Sequence, residues 1–207
     1  MKKNIVITIG RQFGSGGRSV ARILSEHYGI PVYDKKLIEL AAEQSGLGKQ
    51  FFEQADEHVS HSFLHFLFGG RGATSHHAES PLDNDALFKV QSDVIRDIAS
   101  RESCIILGRC ADYILRDNPN LISVFMSADF ADRQQRYAQH DGTTPEAASL
   151  ILEKSDRKRS GYYDYYAQRV WGAAENYDLC INTSRLGIEG TAQLLIDYID
   201  RRMADEE

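Results

Sequence analysis

The stretch that decides the fold is Asn4 to Ile23, NIVITIGRQFGSGGRSVARI. It opens with a short apolar run of mostly β-branched residues, which predicts one buried strand. Glycines follow at positions 10, 14, 16 and 17, and apolar residues then recur at helical spacing from Val20. The glycines therefore lie between a strand and a helix, where backbone N–H groups and the helix dipole bind phosphate.

This glycine segment departs from the standard phosphate loop, G-x-x-x-x-G-K-[ST]. Gly17 stands where the pattern has lysine, and Gly10 lies one residue too far from Gly16. Two interpretations stay open, a phosphate-binding loop and a glycine-rich turn without a ligand. In the first, Arg18 supplies the missing charge, although its planar guanidinium is not equivalent to a lysine ammonium.

Length and composition set the class of protein. A chain of 207 residues, 42% of them hydrophobic, fits one domain over residues 1–207 with its own core. The net charge of -6 argues against a general nucleic-acid binder, while local basic clusters can still bind phosphates.

We next consider targeting signals, membrane spans and cysteines. We find no apolar stretch of about 20 residues, which a membrane span would need, and no signal-peptide pattern. The sequence therefore predicts a cytoplasmic protein without a membrane contact. Cys104 and Cys180 fall in predicted strands, where we expect buried free thiols.

Short apolar strands alternate with helical segments, and this alternation predicts an α/β fold. A mostly parallel central sheet would carry helices on both faces. After the first strand, predicted strands lie at 32–33, 103–107, 121–126 and 179–182. After the first helix, predicted helices lie at 36–44, about 85–101, 111–115, 129–139, from 145 into 156–159, 162–174 and 188–203. We interpret residues 47–68 as short helices of an insertion and residues 69–85 as a mobile loop.

Chemically informative residues cluster at the predicted carboxyl ends of the strands, where ligands bind in such sheets. Three cationic positions there could converge on phosphates: Arg18, Arg109 after Gly108, and the run 157–159. For Arg109 the alternative is a salt-bridged surface arginine, and for the basic run it is a solvated helix face. Convergence would suit phosphoryl transfer, which requires positioning and charge neutralisation by several cations.

Five segments together resemble a known family. They are GRQFGSGGRSVARIL, VYDKKLI, IILGRCADYIL, DRKRSGYYDYY and YDLCINTSRLGIE, in this order along the chain. The chain is similar to the cytidylate kinase-like family, a divergent group within the P-loop nucleoside monophosphate kinases. The resemblance extends from Ile5 to about Ile199, and the order of the segments is more specific than any one of them.

The resemblance implies a P-loop kinase fold with two mobile parts. An acceptor-binding insertion would cover about 34–85, and a lid region would cover about 140–170. ATP would place its phosphates on residues 14–19, and Mg²⁺ would meet the Ser19 hydroxyl.

The resemblance also implies a set of site residues. The phosphate and ATP contacts would be Gly14, Ser15, Gly16, Gly17, Arg18 and Ser19, with Arg133 or Arg136 against the adenine. The catalytic cations would be Arg18, Arg109, Arg157 and Arg159. The acceptor contacts would be Asp34, Arg109 and Asp112.

Three functions follow from these observations. The first is a nucleoside monophosphate kinase that converts ATP and a small phosphorylated acceptor to ADP and a diphosphate. The second is a nucleotide- or phosphate-binding regulator without catalysis, suggested by Gly17 at the lysine position and by Leu107 and Cys110 where related kinases carry acids. The third is a kinase with a non-nucleotide acceptor.

The segment 51–77 is rich in histidine and phenylalanine. His61 and His65 are four residues apart, as two metal ligands on a helix would be. Acidic or cysteine partners at matching spacing are missing, so we favour packing of the insertion or a contact between two copies of the chain.

Overall fold

The computed structural model describes residues 4–35, residue 38 and residues 81–204. Within them we number the elements in chain order. They are β1 (Val6–Arg11), α1 (Gly17–Tyr28), β2 (Val32–Tyr33), α2 (Pro81–Arg101), β3 (Cys104–Leu107), α3 (Ala111–Ile114), β4 (Leu121–Ser127), α4 (Phe130–Asp141), α5 (Pro145–Ala167), a 3-10 turn (Ala174–Asn176), β5 (Leu179–Asn182) and α6 (Thr183–Ala204).

The described strands form a five-stranded parallel sheet in the order β2-β3-β1-β4-β5. Strand β1 is central, and Ile7 pairs with Ile105 on one side and Ile122 on the other. Buried β-branched residues suit such a strand because neither of its faces meets water. The predicted α/β fold is confirmed.

Alternating residues of β1 supply the two cores of the molecule. Val6 packs with residues of α2 on one face of the sheet. Ile7 and Ile9 pack with α1 and α6 on the other face, because successive side chains of a strand point to opposite sides. Both cores therefore fix the carboxyl end of β1, where the glycine loop begins.

Several predicted boundaries were wrong. Helix α2 begins at Pro81, inside the predicted loop, and α5 is one helix from Pro145 to Ala167 where we expected two. Gln168 ends α5 with a left-handed φ of 52°, and residues 168–173 turn so that Gly172 meets the Phe125 ring. Helix α6 begins directly after β5 and is broken at Gly187.

The two strand cysteines differ in burial. Cys104 is buried as expected, whereas Cys180 is exposed. The expectation for Cys180 was wrong because β5 lies at an edge of the described sheet. The segments predicted at 36–44, 47–68 and 51–77 lie outside the described residues, apart from residue 38. In the described chain, no helix has both the length and the apolar character needed to cross a membrane.

Candidate active site

The glycine loop between β1 and α1 is shaped for an anion. Gly14 and Gly16 have left-handed φ angles of 77° and 84°, which would cost a residue with a side chain about 1–2 kcal/mol. Helix α1 starts at Gly17 without a side-chain cap and without an acidic residue in its first turn. Because the first N–H groups of a helix have no intrahelical acceptor, they and the helix dipole form an anion-binding site.

Side chains from α4, α5 and α6 fix the position of this loop. Asp156 accepts a hydrogen bond from the Phe13 N–H at 2.7 Å and forms an ion pair with Arg133. The Arg133 guanidinium also donates to the Phe13 carbonyl at 3.3 Å. On the other side, Thr183 Oγ1 donates to the Ser15 carbonyl at 2.7 Å. The loop conformation therefore depends on distant parts of the sequence.

Arg133 and Arg136 both contact the loop. Arg133 is buried at 7% exposure, and Arg136 donates to the Gly14 carbonyl at 3.2 Å and to Thr183 Oγ1 at 3.3 Å. These hydrogen bonds give the two arginines a part in positioning the loop. Contact of either with an adenine stays a prediction.

A second special backbone segment follows β3. Gly108, Arg109 and Cys110 have consecutive positive φ angles of 72°, 60° and 54°. Such angles are uncommon outside glycine, and strained backbone of this kind clusters at functional sites. The Gly108 N–H donates to the Ile9 carbonyl at 3.0 Å, which ties the turn to β1. Burial raises the pKa of Cys110 to about 12, so this residue stays a thiol near neutral pH.

Arg11, the last residue of β1, is a site residue that the sequence interpretation missed. Burial, the largest cause, and the charges of Arg159, Arg18 and Arg109 together lower the pKa of Arg11 to about 9. Asp34 opposes this effect only in part. The positive charges of Arg18, Arg109 and Arg159 thus act on Arg11 at the carboxyl end of β1. The available signal was its place at the end of the central strand, next to a loop without lysine.

A cavity of about 360 Å³ lies beside these arginines. One part of its wall is cationic and the other is aromatic. The lining includes Arg11, Lys35, Arg109, Lys158 and Arg159, and also Phe13, Tyr162, Tyr163, Trp171 and Tyr177. The Arg109 guanidinium lies 5.4 Å from the centre of the Tyr162 ring. Anionic and flat apolar groups would both find partners in this cavity.

Asp112 is an acidic residue in the cavity wall, and it is buried at 7% exposure. Its carboxylate accepts a hydrogen bond from the Tyr163 hydroxyl at 2.7 Å. Burial raises the pKa of Asp112, and the hydrogen bond from Tyr163 opposes the rise. This pair joins α3 to α5 across the cavity.

The other predicted site residues are not equally close to the cavity. Arg18 is exposed and forms an ion pair with Asp34 at 3.1 Å. Arg159 lines the cavity and donates to the Arg11 carbonyl at 3.0 Å. Arg157 is exposed on α5 and is not among the lining residues.

The described residues offer few direct ligands for a magnesium ion. Ser19 lies in the first turn of α1 and is exposed. Among the described residues, no group of three or more acidic, histidine or cysteine side chains could bind a metal. This arrangement fits Mg²⁺ that keeps several waters and is bound through substrate phosphates, with Ser19 as a hydroxyl ligand.

The parallel sheet and the glycine loop after its central strand define a P-loop kinase fold. A solved shikimate kinase from Bacteroides thetaiotaomicron aligns with a TM-score of 0.51 over 95% of this chain and 98% of its own. At 12% identity, this likeness concerns the fold alone.

The chain belongs to the cytidylate kinase-like family, whose sequence profile matches residues 6–185. The resemblance inferred from sequence is confirmed. Cytidylate kinases of Thermococcus sibiricus and Methanopyrus kandleri are 26% and 27% identical over 99% of this chain, and over 92% and 97% of theirs. An uncharacterized protein from Eubacterium ventriosum is 32% identical, with a TM-score of 0.73 over 95% of this chain and 99% of that chain. Family and fold together support a nucleotide kinase.

Proposed function

We propose that this chain transfers a phosphoryl group from ATP to a small phosphorylated acceptor, and that the acceptor is a nucleoside monophosphate. The observation that carries the proposal is that Arg11, Arg109 and Arg159 line one cavity at the end of β1, where Arg18 adds its positive charge. Phosphoryl transfer depends mainly on positioning and on neutralising the charge of the phosphates. Four guanidinium groups beside an anion-binding loop are suited to that task.

The donor side of the site is the glycine loop. The N–H groups at the start of α1 bind the ATP phosphates, helped by the positive end of the helix dipole. Ser19 is the hydroxyl that would hold Mg²⁺, and the ion would screen the phosphate charge when bound.

The acceptor side is the cavity next to the loop. Arg109 binds the acceptor phosphate, since a guanidinium matches two phosphate oxygens at once. Tyr162, Trp171 and Tyr177 give the wall flat apolar surfaces that suit a base. The cavity volume of about 360 Å³ lies in the range of small-molecule sites.

The reaction follows from this arrangement. An oxygen of the acceptor phosphate attacks the γ-phosphorus of ATP, and the bond from that phosphorus to the bridging oxygen breaks. ADP leaves with the electron pair, and the acceptor becomes a diphosphate. Arg159 stands on α5 above the loop, where it neutralises charge that spreads over the transferring group.

A coupled assay of ADP release across a panel of nucleoside monophosphates tests the proposal. We expect turnover with at least one acceptor, and Arg109→Ala should lower kcat/KM by about 10³-fold or more. Arg96→Ala, a charge-matched control on the exposed surface of α2, should change it less than about threefold. If the protein binds ATP but shows no turnover with any nucleotide or non-nucleotide acceptor, the proposed kinase activity is refuted.

A regulator that binds nucleotide or phosphate without catalysis is the second candidate. It is favoured by Gly17 at the position of the loop lysine. It predicts that ATP raises the melting temperature while ADP release stays at background. Turnover by the wild-type chain would exclude it.

A further inference from the structure

The side chain of Arg11 occupies the space that a lysine of the standard phosphate loop would need. A Cβ atom placed on Gly17 would lie 3.2 Å from Arg11 Cβ and 3.3 Å from Arg11 Cγ. These distances are tighter than ordinary van der Waals contact, so the stem of Arg11 passes directly across Gly17. The Arg11 stem therefore lies in space that a side chain at position 17 would press against.

The guanidinium end of Arg11 meets a second glycine. A Cβ atom on Gly108 would lie only 2.1 Å from Arg11 Nη1. A glycine from the loop and a glycine from the turn after β3 thus make room for one side chain. This side chain runs from the donor loop to the cavity, where Arg11 is one of the lining residues.

Among the described residues, the charge of Arg11 is only partly balanced. In the described parts of the chain, no carboxylate lies within ion-pair distance of its guanidinium, whereas Arg18 pairs with Asp34 at 3.1 Å. Burial, followed by the nearby charges of Arg159, Arg18 and Arg109, lowers the pKa of Arg11, and Asp34 opposes this only in part. A bound anion would relieve this repulsion, because it would supply the missing negative charge.

We propose that Arg11 is a catalytic residue that contacts the transferring phosphoryl group in place of the absent loop lysine. This inference rests on the proposed kinase function. Arg11 is better placed for the role than Arg18, whose side chain is 79% exposed and already paired. A guanidinium can bind two phosphate oxygens at once, so it can contact the donor and the acceptor side together.

The test combines a binding measurement with a kinetic one. Calorimetry with tripolyphosphate reports phosphate affinity without any turnover, and the ADP-release assay gives kcat and KM. Arg11→Met should weaken tripolyphosphate about 10- to 100-fold, and should lower kcat about 10³-fold, in the range for an arginine that meets the transferring group. The matched control is Arg22→Met, on exposed surface of α1 and paired with Glu26 at 2.7 Å; it should leave both values within about twofold.

An exchange of positions makes the test specific. Gly17→Lys alone should lower activity, since its Cβ would press on the Arg11 stem. In the double variant Arg11→Ala/Gly17→Lys the stem is gone, and a lysine can take its place. We expect the kcat of the double variant to be at least about tenfold higher than that of Arg11→Ala. Circular dichroism melts of all variants separate loss of folding from loss of function.

The outcomes separate this inference from the proposed function. Arg11→Met or Arg11→Lys with tripolyphosphate affinity and kcat equal to the wild type would overturn the role of Arg11. A second outcome is that Arg11→Met loses tripolyphosphate affinity while the wild-type protein shows no turnover with any acceptor. This outcome would refute the kinase function and leave Arg11 as a phosphate ligand. An Arg11→Met protein that melts like the wild type but loses both properties supports the inference.

Discussion

Replacing Asp156 by alanine should separate the phosphate loop from helix α5 and destabilise the fold. The Asp156 carboxylate accepts the Phe13 N–H at 2.7 Å and pairs with Arg133. The side chains of Asp156 and Arg133 are only 18% and 8% exposed. Alanine would leave a buried guanidinium without its carboxylate and a loop N–H without its acceptor.

The cost can be worked from this geometry. Removing one partner of a buried ion pair costs about 3–5 kcal/mol, and the partial exposure of Asp156 places the variant near about 3 kcal/mol. For a chain of this length about 1 kcal/mol corresponds to about 2–4 °C, so the melting temperature should fall by about 6–12 °C. Asp156→Asn keeps an acceptor for Phe13 and loses only the charge, so it should cost less.

Urea unfolding followed by circular dichroism measures the free energy of unfolding. Asp93→Ala is the control, since Asp93 pairs with Arg96 at 3.1 Å on the exposed surface of α2; it should cost less than about 0.5 kcal/mol. In an Arg133→Met background, Asp156→Ala should cost clearly less than in the wild type. An Asp156→Ala cost equal to that of the control would refute the argument that this pair fixes the loop.

Two further substitutions test the cavity wall. Gly108→Ala imposes a side chain at a φ of 72° and would press on Arg11 Nη1. It should lower the free energy of unfolding by about 1–2 kcal/mol and lower kcat toward that of Arg11→Met. An unchanged kcat would contradict the contact argued for Arg11. Burial raises the pKa of Asp112, so its protonated form stabilises the fold below the unfolded pKa of about 3.9, and this stability is lost as the pH rises through the folded pKa. The melting temperature of Asp112→Asn relative to wild type should therefore rise as the pH increases above about 4. A constant difference would show that the pKa of this carboxyl is not raised.

The part of the fold that could be predicted depends on local patterns. The run from Val6 to Ile9, the glycines after it and the helical spacing from Val20 lie within one short stretch, so β1, the loop and α1 follow from the sequence directly. Strand β5 was predicted at its observed bounds, Leu179–Asn182. Its exposed Cys180 could not be predicted, because exposure depends on which strand lies at the edge of the sheet.

The candidate site was only partly predictable for the same physical reason. Arg109 follows a strand and a glycine, which is a local signal. The contact between Arg11 and Gly108 joins residues 97 positions apart, and the bond from Phe13 to Asp156 joins residues 143 apart. The first contact requires the pairing of β1 with β3, and the second requires the packing of α5 on the loop. No short pattern contains either.

The continuity of α5 has a consequence for how the binding of the two proposed substrates is coupled. Asp156 and Arg159 on this helix contact the glycine loop and the end of β1, and Tyr162 and Tyr163, one turn further along, form part of the cavity wall. Because an α-helix moves largely as a rigid body, a tilt that shortens its contacts with the glycine loop also displaces its tyrosines in the cavity wall. Occupancy of one subsite should then change the affinity of its neighbour, and thermodynamic reciprocity requires the same factor in the reverse direction.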